Sequence, residues 1–162
     1  MNNNQLQNRI EKLRRQLTAM RQMFVAIENM ADEGFTGYDD QWPSSLEHNL
    51  HLLEQMFRRF REAQQEEDFL ESLIAGRPNI AELIVASDST AKKAAAGFRT
   101  ASETLNLDDS PGSGFTSWHW FEHAFQNFLT TESRCLSTLM DMLHRESKSE
   151  NAQAASDNRH KN

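Results

Sequence analysis

The fold of this chain is decided by residues 6–31, which read LQNRIEKLRRQLTAMRQMFVAIENMA. Apolar residues recur there with the unbroken spacing 4-3-4-3-4-3-4, at Leu6, Ile10, Leu13, Leu17, Met20, Phe24, Ile27 and Ala31. This spacing places them along one side of an α-helix, and charged side chains occupy its other sides. We therefore predict a helix over residues 4–32 that carries a coiled-coil-like heptad seam.

Three further helices are predicted, over residues 44–75, 79–106 and 116–146, separated by segments rich in glycine, proline and short polar residues. Residues 87–90 are a predicted break inside the third helix, because short polar side chains compete for backbone hydrogen bonds. The first seam could form an intermolecular coiled coil or one edge of an intramolecular bundle. With three more helices in the chain, we favour an all-α, antiparallel up-down-up-down bundle.

The domain organisation expected from this pattern is simple. Residues 1–147 form the helical domain, and residues 148–162 form a disordered polar tail. The tail has little apolar content beyond alanine, so it offers almost nothing to pack against a core.

Composition argues against several functional classes. The chain has 24 acidic and 17 basic residues, whereas a nucleic-acid-binding domain normally carries a basic face. Its one basic cluster, Arg58, Arg59 and Arg61, has acidic residues at helical pairing distance, and we expect a salt-bridged surface there. No apolar stretch approaches the roughly 18 residues that span a bilayer. A single cysteine and an N-terminus without an apolar leader predict a cytoplasmic protein.

Four histidines have spacings that could suit a metal. His48 and His51 lie on the second predicted helix, and His119 and His123 lie on the fourth within the pattern His-x-x-Glu-His. At about 100° per residue, three of them point away from the apolar stripes and His51 lies on a flank. We therefore predict exposed histidines and no cofactor.

Two polar residues on the fourth helix fall near its apolar stripe. Glu132 lies on the stripe itself, and burying an unpaired carboxylate is costly. We expect it to lie near an arginine, to lie near the end of the bundle, or to be protonated. Cys135 has no histidine one helical turn away that could activate it, so we predict a small, half-buried apolar residue. No catalytic residue is predicted.

Large aromatic residues concentrate around the first and third connections: Phe35, Tyr38, Trp42, Phe115, Trp118 and Trp120. In an up-down bundle both connections lie at the same end. The rings could fold back and close that end, or they could form a partly exposed patch with an acidic rim, suited to a basic protein partner. The residues predicted to bind the partner are Tyr38, Trp42, Trp118 and Trp120.

The function expected from these features is that of a non-enzymatic interaction or regulatory protein, such as an adaptor, a chaperone-like binder or an inhibitor. The alternative is a ligand- or metal-responsive helical sensor that uses the histidines or the aromatic residues. A homodimer is also expected. Met23, Val25 and Met30 lie off the seam and widen the apolar surface of the first helix beyond what one core contact needs.

Overall fold

The computed structural model describes residues 1–36, 42–105 and 111–161, with side chains described outside 34–43 and 106–115. Five α-helices make up nearly all of these ranges: α1 (Asn3–Thr36), α2 (Trp42–Gln64), α3 (Glu67–Ile74), α4 (Ile80–Leu105) and α5 (Pro111–His160). No β-strand occurs within the described ranges. The all-helical prediction is confirmed, but the helices number five rather than four.

The heptad seam of α1 faces the protein interior along its whole length. All eight seam residues, from Leu6 to Ala31, are buried, as the spacing predicts. Met23 and Met30, which lie off the seam, also pack partly against the core. Val25 remains 48% exposed. The extra apolar surface of α1 is therefore narrower than its sequence suggests.

The prediction of one continuous helix over residues 44–75 is wrong, because the chain breaks between α2 and α3. Glu66 has an extended conformation, with φ −59° and ψ 123°. A straight continuation of the α2 seam beyond Phe60 would carry two polar residues, Gln64 and Glu67, towards the core. The break instead lets α3 bury Phe69 and Leu73, which avoids the cost of burying unpaired polar groups.

The end of α3 follows the predicted stop signal. Gly76 lies just beyond the last helical residues and has φ +72°, the left-handed conformation that glycine adopts without a side-chain penalty. The apolar spacing of the second predicted helix resumes at Leu70, Leu73 and Ile74 and predicts their burial. Leu73 is buried, but Leu70 is half-buried and Ile74 is 49% exposed. Their exposure follows from the rotation that the α2–α3 break imposes.

The predicted break at residues 87–90 is also wrong, because α4 runs without interruption from Ile80 to Leu105. The Thr90 hydroxyl donates to the carbonyl oxygens of Ala86 and Ser87, at 3.2 and 3.1 Å, so it bonds within the helix instead of breaking it. Small residues let α4 approach α5 closely. A Cβ on Gly97 would lie 3.3 Å from the Cα of Phe121.

Helix α5 is longer than predicted at both ends. It begins at Pro111 rather than near 116, in keeping with the preference of proline for the first turn of a helix. It also continues to His160, whereas the sequence predicts an end near Arg145 followed by a disordered tail. Residues 148–161 carry no glycine or proline that would stop a helix, and every one of them is exposed. This extension adds no buried surface.

Aromatic rings join four of the helices in the core. Phe24 of α1 and Phe98 of α4 both contact Phe121 of α5, with ring centroids 6.1 and 4.9 Å apart. Phe57 of α2 contacts Phe98 and Phe128, at 5.4 and 5.0 Å. Such pairs add about 0.5–1.5 kcal/mol each beyond the burial of their area. The core is therefore held together by rings contributed from every long helix.

Contacts along the helices also show which ends lie together. Asn3 of α1 donates to Glu146 near the far end of α5, while Phe24 contacts Phe121 near its start. Gly97, in the second half of α4, packs against the same Phe121. The C-terminal halves of α1 and α4 thus lie beside the first part of α5.

A search of the described residues for a helix with the length and hydropathy of a membrane span found none.

Candidate functional site

Four residues are predicted to bind a partner, and the structure places two of their side chains. Trp118 is 2% exposed and donates its indole N–H to Glu122, so its ring belongs to the core and is not presented to a partner. Trp120 is 46% exposed, which is unusual for so large a side chain. Tyr38 lies outside the described residues, and the side chain of Trp42 does as well. The same holds for the side chains of Phe35 and Phe115.

Acidic side chains gather around this region, which we call the aromatic end: the described residues Trp118 to Glu122 with the neighbouring part of α1. Burial raises the pKa of Glu28, and the charges of Glu122 and Asp32 raise it further. His119 lies with its Nδ1 atom 3.6 Å from Glu122. Glu122 and Asp32 are thus close enough to Glu28 for their charges to act on it, which makes this part of the α1–α5 surface acidic.

The histidines fall where the helical angles predict. His48, His51, His119 and His123 are all exposed. Gln55 lies one turn from His51, with the two side-chain nitrogens 3.1 Å apart. Among residues 1–36, 42–105 and 111–161, no group of three or more His, Cys, Asp or Glu side chains is placed to hold a metal ion.

A cluster of polar residues lies inside the protein, and the sequence does not predict it as one group. It consists of Arg61, Gln64, Ser87, Asp88 and Glu132, contributed by α2, α4 and α5. Glu132 is 0% exposed and accepts hydrogen bonds from the Ser87 hydroxyl and, at 2.6 Å, from the Gln64 amide. Arg61 donates to Asp88 at 2.6 Å, to Gln64 at 2.8 Å and to Ser87 at 3.3 Å. Each residue of this cluster forms a hydrogen bond or an ion pair with another residue of the cluster.

One sequence signal could have revealed this polar cluster. Gln64 occupies a seam position of α2, and Glu132 interrupts the stripe of α5. Ser87 is one of the few buried polar residues of α4. Each is a polar residue at a core position, and a buried polar group needs a partner of its own kind. Three such interruptions on three helices predict that the helices meet there.

Arg61 corrects the prediction of a salt-bridged arginine surface. Arg58 does pair along its own helix with Glu54, at 2.6 Å. The Arg61 side chain is only 13% exposed and pairs with Asp88 on α4. The expectation that Glu132 lies near an arginine is confirmed, since the charge of Arg61 acts on it.

Burial is the main influence on the ionisation of Glu132. Removal from water raises the pKa of this carboxyl, and the charge of Asp88 raises it further. Hydrogen bonds from Ser87 and Gln64 and the charge of Arg61 act in the opposite direction without cancelling the effect. Glu132 therefore holds its proton more tightly than an exposed glutamate does.

Cys135 lies one helical turn from Glu132 and is buried, more deeply than the half-buried position predicted. Burial, together with the charge of Glu132, raises the pKa of its thiol to about 11. The thiol donates weakly to the carbonyl oxygen of Leu83, with the two atoms 3.8 Å apart. At neutral pH it is protonated, and a protonated thiol is a poor nucleophile.

An apolar cavity of about 140 Å³ lies beside the polar cluster. Its walls come from all five helices, and its inner side chains are buried: Leu13, Phe69, Leu73, Ile80, Leu136 and Leu139. Leu70 of α3 and Leu83 and Ile84 of α4 are half-buried and form the more exposed apolar part of its lining, which we call its mouth. The cavity borders the α2–α3 break, where the core is not filled by a straight helix.

A second polar network is structural. Arg77 donates to the carbonyl oxygens of Ser72 and Leu73, at 2.9 and 3.1 Å, at the end of α3. It also binds both oxygens of Glu146 at 2.7 Å and reaches Asn3 at 3.2 Å. The hydrogen bond from Arg77 holds the pKa of Glu146 below its usual value. These contacts join α1, α3 and α5, and Arg77 supplies the hydrogen-bond donors.

Comparison with protein-family models, with curated proteins and with solved structures found no significant match.

Proposed function

We propose that this protein is a non-enzymatic helical interaction protein, an adaptor, chaperone-like binder or inhibitor, which binds a protein partner through its aromatic end. The observation that carries the proposal is Trp120, whose side chain is 46% exposed within the aromatic end. Tryptophan is among the residues most often responsible for binding energy at protein interfaces. Exposing it without a partner leaves a large apolar surface in water.

The architecture proposed for this function is an antiparallel up-down-up-down bundle of α1, the α2–α3 pair, α4 and α5. Support comes from the helix pairs in contact, in which α1 packs on α2 and α5, and α4 packs on α5 and α2. In such a bundle the α1–α2 and α4–α5 connections share one end. Tyr38 and Trp42 would then join Trp120 in one surface.

The partner proposed is basic. Near the aromatic end, burial raises the pKa of Glu28, and the negative charges of Glu122 and Asp32 raise it further by repulsion. Basic groups of a partner would relieve this repulsion and would be steered to the surface by the overall charge of −7. An acidic partner would meet like charge, which is unfavourable at an interface.

The test begins by identifying partners through affinity purification of the full chain, and then measures the affinity of each for designed variants. Trp120→Ala is expected to weaken binding at least tenfold, about 1.4 kcal/mol, and Trp42→Ala to act in the same direction. Helix content by circular dichroism should not change. Val85→Ala is the matched control, because Val85 is 67% exposed but lies near the start of α4, away from the aromatic end. Unchanged affinity in both tryptophan variants would remove the aromatic end as the binding surface.

A homodimer is proposed on narrower grounds than the sequence gives. Met23 and Met30 pack partly against the core, so Val25 is the exposed apolar residue that remains of the three. Light scattering that gives the 18.7 kDa monomer at high micromolar concentration would exclude the dimer.

A ligand- or metal-responsive sensor is the second candidate. The exposed His48, His51, His119 and His123 would serve the metal form, and the metal content of untagged protein tests it. The apolar cavity favours the ligand form, at residues other than those predicted from the sequence.

A further inference from the structure

The apolar cavity and the polar cluster meet at one wall, and that combination is typical of a site for a small molecule. Pockets for small ligands are mainly apolar, with a few polar groups that fix the orientation of the ligand. Here Arg61, Asp88 and Glu132 supply the polar wall, and aliphatic and aromatic side chains supply the rest. The cavity lies away from the aromatic end, so a ligand here is independent of the proposed partner surface.

The volume of the cavity limits the size of the ligand. It measures about 140 Å³, close to an engineered cavity of about 150 Å³ in another protein that stays dry and binds benzene. A single six-membered ring fits such a space. The half-buried Leu70, Leu83 and Ile84 at the mouth leave a path by which it could enter.

The charges at the polar wall do not balance. Two carboxyl groups, Asp88 and Glu132, share a single guanidinium, that of Arg61, so the wall carries a net charge of −1 when both are ionised. Arg61 uses its Nη2 atom on Asp88 and its Nη1 atom on Gln64 and Ser87.

The same imbalance decides which head group suits the cavity. An anionic ligand would place a third carboxylate around one arginine, which is unfavourable in a poorly solvated site. A protonated amine would instead neutralise the wall. Asp88 is placed to receive it, because its side chain keeps 45% exposure although Arg61 is bound to one of its oxygens.

We infer that this cavity binds a small hydrophobic cation, an apolar body about the size of one ring carrying one protonated amine. The ring lies among Leu73, Ile80 and Leu136, and the ammonium group lies at the mouth against Asp88, with the buried carboxyl of Glu132 behind it.

Three probes that share one ring test the inference on the full chain: benzylamine as the cation, benzyl alcohol as the neutral analogue and benzoate as the anion. Titration at pH 7 followed by methyl NMR should give saturable shifts for benzylamine at Leu70, Leu83 and Ile84. Benzylamine should bind at least tenfold more tightly than benzyl alcohol, a difference of about 1.4 kcal/mol, and benzoate more weakly than either. No saturable binding of benzylamine, equal binding of the alcohol, or tighter binding of benzoate overturns the inference.

Two pairs of variants locate the binding. Ile84→Trp fills the mouth and should abolish benzylamine binding, whereas Val85→Trp, its exposed neighbour outside the cavity, should not. Asp88→Asn should lower benzylamine affinity at least tenfold while benzyl alcohol is unaffected. Asp68→Asn removes the same charge from an exposed position of α3 outside the cavity and should change neither. Benzylamine affinity unchanged in Asp88→Asn overturns the role of the charge even if Ile84→Trp fails to fold.

Discussion

The two halves of α5 pack against the rest of the molecule in different ways. The first half contributes Phe121, Phe125 and Phe128, which contact rings from α1, α2 and α4. The half that begins at Glu132 lies against the polar cluster and the apolar cavity. Rings contributed by several helices fill the space around the first half. A carboxyl group in the second half requires polar partners, which α2 and α4 supply.

This difference shows what a polar residue at a core position demands. Ser87 and Gln64 satisfy Glu132, and the α2 seam cannot continue straight beyond Gln64 without burying Glu67. The helix breaks there, and the cavity borders that break. The aromatic half has no comparable interruption in α2, whose seam residues from Leu46 to Phe60 are all buried. The buried carboxyl of Glu132 is therefore accompanied by the break between α2 and α3 and by the apolar cavity.

The largest effect is expected from placing a charge on the uninterrupted α2 seam, which lies in the part of the core that is filled by aromatic rings. Leu50→Asp should lower the free energy of unfolding by about 3–5 kcal/mol, because Leu50 is 1% exposed and the new carboxylate has no partner. Urea denaturation gives the value. Leu52→Asp is the control on the same helix, since Leu52 is 36% exposed and can keep its charge in water. Equal destabilisation by the two variants would mean that the seam does not determine the core.

A smaller effect on stability, which depends on pH, is expected from Glu132 in the polar cluster. The pKa of Glu132 is higher in the folded protein than its ordinary value of 4.5, so the folded state binds this proton more tightly than the unfolded state. The resulting stability is fully present below about pH 4.5 and is lost as the pH rises through the raised value. The free energy of unfolding should therefore fall with rising pH across this window.

Glu132→Gln should flatten this fall, because glutamine keeps the size of the side chain but has no proton to lose. The charged groups that act on Glu132 are Arg61 and Asp88, and both remain in the variant. Urea denaturation between pH 4.5 and 7.5 measures the slope, and Glu150→Gln on the exposed extension of α5 is the control. A slope equal to that of the unmodified protein would show that Glu132 does not titrate in this range.

The smallest effect is expected from the end of α5. Residues 148–160 are helical but exposed throughout, so they bury little apolar surface. Deleting 148–162 should shift the melting temperature by no more than a few degrees. A large fall on thermal denaturation would show that this segment packs on another surface, such as a second copy of the chain.

Much of the fold could be predicted from the sequence because apolar spacing alone locates a buried helix face. Every seam residue of α1 and every residue predicted for the stripe of α5, from Trp118 to Leu143, is buried. The prediction was less reliable where the pattern was sparse. On α4, the apolar spacing of the sequence places Ala95 on the buried stripe, but Ala95 is exposed, while Ala94 and Gly97 are buried. Alanine and glycine can lie on either face, so spacing assigns them poorly.

The candidate sites were predictable to a smaller extent. The exposure of the four histidines followed from angles along a helix. Trp118 was predicted to bind a partner although it lies on the stripe of α5, and it is buried. The polar cluster required knowing which helices are neighbours. Arg61, Ser87 and Glu132 lie far apart in the chain, and no spacing within one helix relates them.

The sequence by itself determined that this protein is helical, which face of each long helix is buried, and that Glu132 needs a partner in the core. These are local properties, because helical periodicity and the cost of an unpaired charge act within one segment. Only the tertiary structure decided which groups satisfy Glu132, where α2 gives way to α3 and where the apolar cavity lies. Those outcomes depend on how helices distant in sequence pack together, and no single helix contains that information.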